Sequence, residues 1–277
     1  LMLSKAYLFA DRDWPAEVEE RSVSLTVNSS GSNIFGQILL PALAHRDALS
    51  PVVLMLHGYP GTEKNTDIAC ALRRAGLAGI QFSYRGVWGS HGEYRFSHLT
   101  EDTTAVLDYL KNRAEEYRLD MERVCLFGHS MGGFTALHVL AGNRHIRGAV
   151  VAAPCDMGWL YRENPEGCQA ILKSRERGYF HLPYPESLED ELEAFGESWQ
   201  FVNLCHRISA PVHFIGGSKD VKTPPQQHVL PLYERMAALG MEVSCTMLED
   251  GHAFPVHRIA LTNLVFDKIR DILESNS

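Results

Sequence analysis

This 277-residue sequence predicts an α/β fold with a mostly parallel central sheet flanked by helices. Three observations carry the prediction. Short, continuous apolar runs bounded by glycine or proline read as strands covered on both faces. Between them lie stretches with apolar residues at helical spacing. The two kinds alternate along most of the chain, as parallel strands joined by right-handed helical crossovers do.

Residues 23–27 and 34–40 are extended runs separated by the turn-rich Asn28-Ser29-Ser30-Gly31-Ser32-Asn33, which reads as an antiparallel hairpin. Pro51-Val52-Val53-Leu54-Met55-Leu56 is wholly apolar and stops short of Gly58, as a central parallel strand does. A helix over 67–75 closed by Gly76, a strand over 77–84 and a glycine-rich loop over 85–92 come next. Val106, Leu107, Leu110 and Ala114 share one face of a helix expected over 101–117. A strand over 123–127, a helix over 134–141 and a strand over 148–153 continue the alternation. It stops there and resumes with a strand at 211–215, a helix at 226–239, a strand at 241–248 and a helix at 256–273. The expectation is one α/β domain over 1–277, carrying a cap insertion at about 155–205.

The insertion differs from its host. Residues 156–200 hold ten acidic and four basic residues, so −6 of the chain's net charge of −8 lies there. The same stretch holds Trp159, Tyr161, Tyr179, Phe180, Tyr184, Phe195 and Trp199. A cap with aromatics turned toward a pocket and carboxylates toward solvent accounts for both excesses. Trp159, Tyr161, Tyr184 and Trp199 are accordingly the expected substrate-binding residues.

Composition excludes several classes of function. With 45% hydrophobic and 22% charged residues the chain is neither disordered nor fibrous. An excess of 34 acidic over 26 basic residues, without a basic cluster, argues against a nucleic-acid partner. No apolar run approaches a membrane span, and residues 1–10, interrupted by Lys5, lack a signal-peptide cleavage pattern. A cytoplasmic location is therefore expected, although a chain beginning at Leu1 is also what a tag scar or a removed segment leaves. Cys70, Cys125, Cys155, Cys168, Cys205 and Cys245 are scattered, with neither a paired spacing nor a histidine at finger spacing, so no disulfide, structural zinc or catalytic metal is expected.

The chemistry concentrates at three places. Gly128-His129-Ser130-Met131-Gly132 lies between an expected strand and an expected helix, the setting of a nucleophile elbow, where glycines let the strand turn sharply and leave Ser130 exposed. Ser130 as a mere helix cap is the competing reading. A serine needs a base and an orienting acid. His252, in Glu249-Asp250-Gly251-His252 after the last strand, is the expected base. His257 is read as facing solvent or capping the last helix, and His129 as a packed neighbour. Asp220, in Gly216-Gly217-Ser218-Lys219-Asp220 at the same sheet edge, is the expected acid, with Asp156 as runner-up; Asp250 stands too close to His252 in sequence to orient its ring. For the oxyanion, the expected donors are the amides of Met131 and of Tyr59 in His57-Gly58-Tyr59-Pro60-Gly61, because Pro60 has no N–H.

With the nucleophile, acid and base in the order Ser130, Asp220, His252, the chain resembles an α/β-hydrolase-fold serine hydrolase over nearly its whole length. Tyr84-Arg85-Gly86-Val87-Trp88-Gly89-Ser90-His91-Gly92 resembles a loop of prolyl-oligopeptidase-like peptidases and of related bacterial esterases and acyl hydrolases. The resemblance implies the fold, the Ser130/Asp220/His252 triad and the absence of a cofactor. One departure stands out: the loop at His57 lacks the second adjacent glycine common in peptidases and lipases. It is nearer the loop of epoxide hydrolases and dehalogenases, whose nucleophile is an aspartate, where this chain has Ser130. About fifty residues precede the first central strand, too few for a propeller, so a peptidase would be a stand-alone catalytic domain. The expected function is hydrolysis of a small-molecule carboxylic ester through an acyl-enzyme. The alternatives are a peptidase or amidase acting on short peptides, with Glu163 or Glu189 holding a substrate amine, and a non-catalytic binding module of the same fold. Oligomeric state is not written in the sequence.

Overall fold

The structure, a computed structural model, describes residues 3–11, 21–42 and 48–275; Leu1 and Met2 of the opening segment lie outside them. β1 (Arg21–Ser29) and β2 (Ser32–Leu40) form the expected antiparallel hairpin. Its turn is only Ser30-Gly31, both at positive φ (45° and 83°), the backbone a two-residue hairpin turn requires. The strands therefore take up residues that the sequence assigned to the turn.

β3 (Ser50–Leu56), buried at every residue, leads through α1 (Thr66–Arg74) to β4 (Ala78–Phe82). α2 (His98–Asn112) and α3 (Ala114–Tyr117) follow, where one continuous helix was expected; the chain leaves helical geometry at Arg113, whose φ is −120°. β5 (Leu119–His129), α4 (Met131–Gly142) and β6 (Gly148–Ala152) complete the first half. Residues between β6 and β7 (Val212–Gly217) are largely helical: α5 (Met157–Glu163), α6 (Pro165–Leu172), the 3₁₀ turn Lys173–Arg177 and α7 (Ser187–Phe195). After β7 come α8 (Pro225–His228) and α9 (Leu230–Ala238), again two helices instead of one, because Pro231 has no N–H to continue the first into the second. β8 (Val243–Leu248) and α10 (Arg258–Glu274) end the chain.

The strand order is β1-β2-β4-β3-β5-β6-β7-β8, with β3 to β8 parallel and the hairpin antiparallel beside β4. Alternate residues of each strand face opposite layers. Val52, Leu54 and Leu126 join Val106 and Leu110 of α2 and Phe134 and Leu137 of α4 in one core. Val53, Met55, Cys125 and Phe127 join Ile68 and Leu72 of α1 and Val265 and Phe266 of α10 in the other. This is an α/β-hydrolase fold. The chain crosses to one side of β3 to make β4 and to the other to make β5, so the carboxyl ends of β3 and β5 flank a crevice where such sheets bind ligands. Among the described residues no helix is long and apolar enough to cross a membrane.

Candidate active site

β5 enters α4 through the Ser130 turn. Ser130 sits at φ 58°, ψ −122°, a conformation side-chain-bearing residues rarely adopt, which stands its hydroxyl clear of both elements. Its amide donates to the Ala152 carbonyl, and its own carbonyl accepts from the amides of Gly133, Phe134 and Cys155. The turn passes so close to β3 that a Cβ on Gly132 would lie 1.9 Å from the Leu56 carbonyl oxygen. Only glycine fits there.

The loop after β8 brings His252 Nε2 to 2.9 Å from Ser130 Oγ, and His252 Nδ1 to 2.8 Å from Asp220 Oδ2. Asp220, on the loop after β7, is buried. Its Oδ1 accepts the amides of Lys222 and Thr223, and its Oδ2 accepts the Thr223 hydroxyl. Burial pushes this carboxyl up, but the hydrogen bond and charge of His252 and the donors of Thr223 outweigh it and hold the pKa at about 2. Asp220 is thus an anion throughout the neutral range. No sequence motif marked Thr223; its signal is its position, three residues after a loop aspartate whose carboxylate closes a turn on its amide.

His129 fastens the other side of His252. Its Nε2 donates to the His252 carbonyl oxygen at 2.8 Å. A carbonyl only accepts, so the proton is on Nε2, and the buried Nδ1 has no partner among the described residues. Burial, helped by the neighbouring His252, lowers the His129 pKa to about 3, so the ring stays neutral. His57 is also kept neutral by burial, with a pKa of about 4, and donates from Nδ1 to the Gly58 carbonyl at 2.8 Å.

Gly58 lies against the serine: a Cβ there would be 3.0 Å from Ser130 Cβ. Among the described residues, neither the Tyr59 amide, next along the chain, nor the Met131 amide donates to a protein acceptor. The other candidate acids are occupied. Asp156 caps α5, its carboxylate accepting the Trp159 amide at 2.9 Å and the Phe201 amide at 2.9 Å. Asp250 accepts the amides of Gly251, Val256 and His257 and faces the His257 ring at 3.2 Å. Among the described residues, no group of three or more His, Cys, Asp or Glu side chains is placed to hold a metal ion.

The model of the alpha/beta hydrolase family matches residues 53–260. The chain belongs to that family. Acylamino-acid-releasing enzyme 1 of Oryza sativa subsp. japonica is 24% identical over 189 residues, which are 64% of this chain and 24% of the enzyme. The first curated relatives are longer proteins, and the match spans less than half of their length. Among solved structures, an acylaminoacyl peptidase from Pyrococcus horikoshii superposes with a TM-score of 0.70 at 17% identity, covering 94% of this chain and 42% of the peptidase. An esterase from Pyrococcus furiosus superposes with a TM-score of 0.67 at 19% identity, covering 95% and 96% of the two chains. These likenesses show the shared fold.

In this member of the family Ser130 and His252 open into a cavity of about 440 Å³, lined on its apolar side by Tyr59, Met131, Met157 and Ile171. Its polar lining includes Thr62, Asn164, Ser174, Arg177, Lys222 and Thr223, and no aspartate or glutamate contributes to it.

The four aromatics expected to bind substrate do not line it. Trp159 lines a separate cavity of about 160 Å³ and meets the His228 ring edge-on. Tyr161 packs on the core beside Gly196, and Trp199 packs among Phe96, Phe134 and Phe195. Tyr184 is 44% exposed and donates to Asp190. Trp159 and Trp199 thus pack against His228 of α8, Phe134 of α4 and Phe96 just before α2. Tyr179 and Phe180 do approach the site, stacking on Trp88 and Tyr59 respectively. Nor do all the segment's carboxylates face solvent. Glu191 is 6% exposed and accepts the amides of Phe96 and Ser97 before α2, three donors including the Ser97 hydroxyl replacing its water. Glu189 is paired with Arg175 at 2.5 Å, and Glu163 lies exposed outside the cavity lining.

Proposed function

We propose that this chain is a serine hydrolase that cleaves carboxylic esters through an acyl-enzyme on Ser130. The observation that carries the reading is the continuous chain of contacts from Ser130 Oγ through His252 to Asp220, at 2.9 Å and 2.8 Å, at the mouth of the 440 Å³ cavity. His252 Nε2 takes the hydroxyl proton as Ser130 Oγ bonds to the ester carbonyl carbon. The ionised Asp220 holds the Nδ1 proton and stabilises the imidazolium that forms. Negative charge gathers on the former carbonyl oxygen, where the unengaged amides of Tyr59 and Met131 are the proposed donors. Collapse breaks the bond to the alcohol, which leaves with the proton from Nε2. Water then enters and bonds to the acyl carbon as Nε2 takes its proton; the bond from that carbon to Ser130 Oγ breaks, Oγ recovers the proton from Nε2, and the acid is released.

Esters are preferred over peptides with a free amino terminus because no cavity-lining carboxylate is available to hold the amine. A fluorophosphonate probe is expected to label wild type and not Ser130→Ala, and p-nitrophenyl esters are expected to turn over faster than aminoacyl p-nitroanilides. A folded wild type that takes no label sinks the proposal; faster anilide cleavage moves it to a peptidase on the same residues. In Ser130→Ala, ester turnover is expected to fall by at least about 1,000-fold.

A further inference from the structure

The charge of the cavity opposes that of the molecule. The chain carries −8 overall, and residues 156–200 carry −6 of it, yet every charged side chain in the cavity lining, apart from the base His252, is a cation. Three of the four basic residues in 156–200 fall in the single turn Lys173–Arg177. Arg175 is spent on Glu189. Arg177 reaches the cavity from this turn and Lys222 reaches it from the loop after β7. Among the described residues neither the Arg177 guanidinium nor the Lys222 ammonium has a carboxylate oxygen within 4 Å, whereas Lys219, three residues before Lys222 but outside the lining, is paired with Glu249 at 2.9 Å. Two cations from separate elements lining one concave, partly apolar space raise the positive potential there, which favours an anion. Asn164 and Ser174 line the same cavity.

We propose that the ester accepted by this site carries a carboxylate, held between Arg177 and Lys222 while the ester bond lies at Ser130. This rests on the serine-hydrolase reading and names the class of substrate for it. The carboxylate belongs to the acyl part or to the alcohol part of the ester, and two matched pairs separate these. Mono-p-nitrophenyl adipate against p-nitrophenyl hexanoate tests the acyl side; 4-acetoxyphenylacetate against 4-acetoxyphenylacetamide tests the alcohol side. In at least one pair the anionic member is expected to have a kcat/KM about tenfold higher, with the advantage shrinking as salt is raised. The Arg177→Gln/Lys222→Gln double variant is expected to bring the anionic-to-neutral ratio close to one, while Lys173→Gln, on the same turn but outside the lining, keeps it. Equal turnover within both pairs, a preference for the neutral members, or an advantage that survives the double variant overturns the proposal. Fluorophosphonate labelling on the same preparations separates the two levels: labelled enzyme without a charge preference defeats this inference alone, and unlabelled folded enzyme defeats the hydrolase reading with it.

Discussion

In the proposed reaction Ser130 passes its proton to His252 only while the imidazole stays in place, and the ring is fixed from two directions. Asp220 holds Nδ1, and His129 holds the backbone of the same residue through one N–H···O bond. His129 touches no reacting atom, so its proposed role is positioning. Glutamine places an amide N–H near the position of Nε2, whereas phenylalanine fills the volume without a donor. His129→Gln is therefore expected to keep kcat within about threefold, and His129→Phe to lower it by roughly 10–100-fold with KM little changed, the size expected when a reacting group drifts by about an ångström. Equal losses in both variants, or a loss confined to KM, would contradict a positioning role. Sequence reasoning reached Ser130, Asp220 and His252 because each follows a strand end in a recognisable turn, and the structure brings these three together. It could not reach the His129 bond: one ring nitrogen meeting a carbonyl 123 residues away leaves no local pattern. Aromatic enrichment misled for a related reason. It reports burial, not direction, and Trp159 and Trp199 satisfy it against His228 of α8, Phe96 before α2 and Phe134 of α4.

Elements were legible where their periodicity was whole and lost where a single residue interrupts it. Apolar runs located β3, β4, β5 and β6 to within a few residues, but Pro231 divides α8 from α9 inside an otherwise helical stretch. The start of α5 shows how one group fixes an element. Asp156 caps it and also holds Phe201 at the far end of the segment, so the helix and the return to the sheet share one carboxylate. Burial pushes that carboxyl up to about 6, the amides of Trp159, Phe201 and Gly158 pulling the other way. The folded chain therefore holds the Asp156 proton more tightly than the unfolded chain does. The resulting stability is fully present below about pH 4 and is lost as pH rises through about 6. Asp156→Asn cannot titrate and keeps an oxygen for the Trp159 amide. Relative to wild type, its unfolding free energy in urea is expected to improve by about 2 kcal/mol from pH 4.5 to pH 7. A difference that stays flat between these pH values contradicts the assignment.

For the molecule as a whole, the decisive arrangement is convergence: the loops after β3, β5, β7 and β8 meet at one sheet edge because those strands run parallel. The 156–200 segment closes over that edge, and its bonds argue that it is part of the core. Leu160, Leu172, Leu188 and Leu192 are buried in the same cluster as Leu54 and Phe134, and Glu191 ties α7 to the start of α2. Trp199 covers Phe96 and Phe134, which removal of the segment would expose. Replacing residues 157–200 by a short glycine-serine link is therefore expected to lower the melting temperature by at least about 10 °C, since a domain of this size loses roughly 2–4 °C per kcal/mol and several buried side chains lose their cover. Circular dichroism during heating measures this directly. A truncated chain that melts with wild type while its ester preference changes would make the segment a separate lid, and would place substrate selection in a part that the sheet does not need in order to fold.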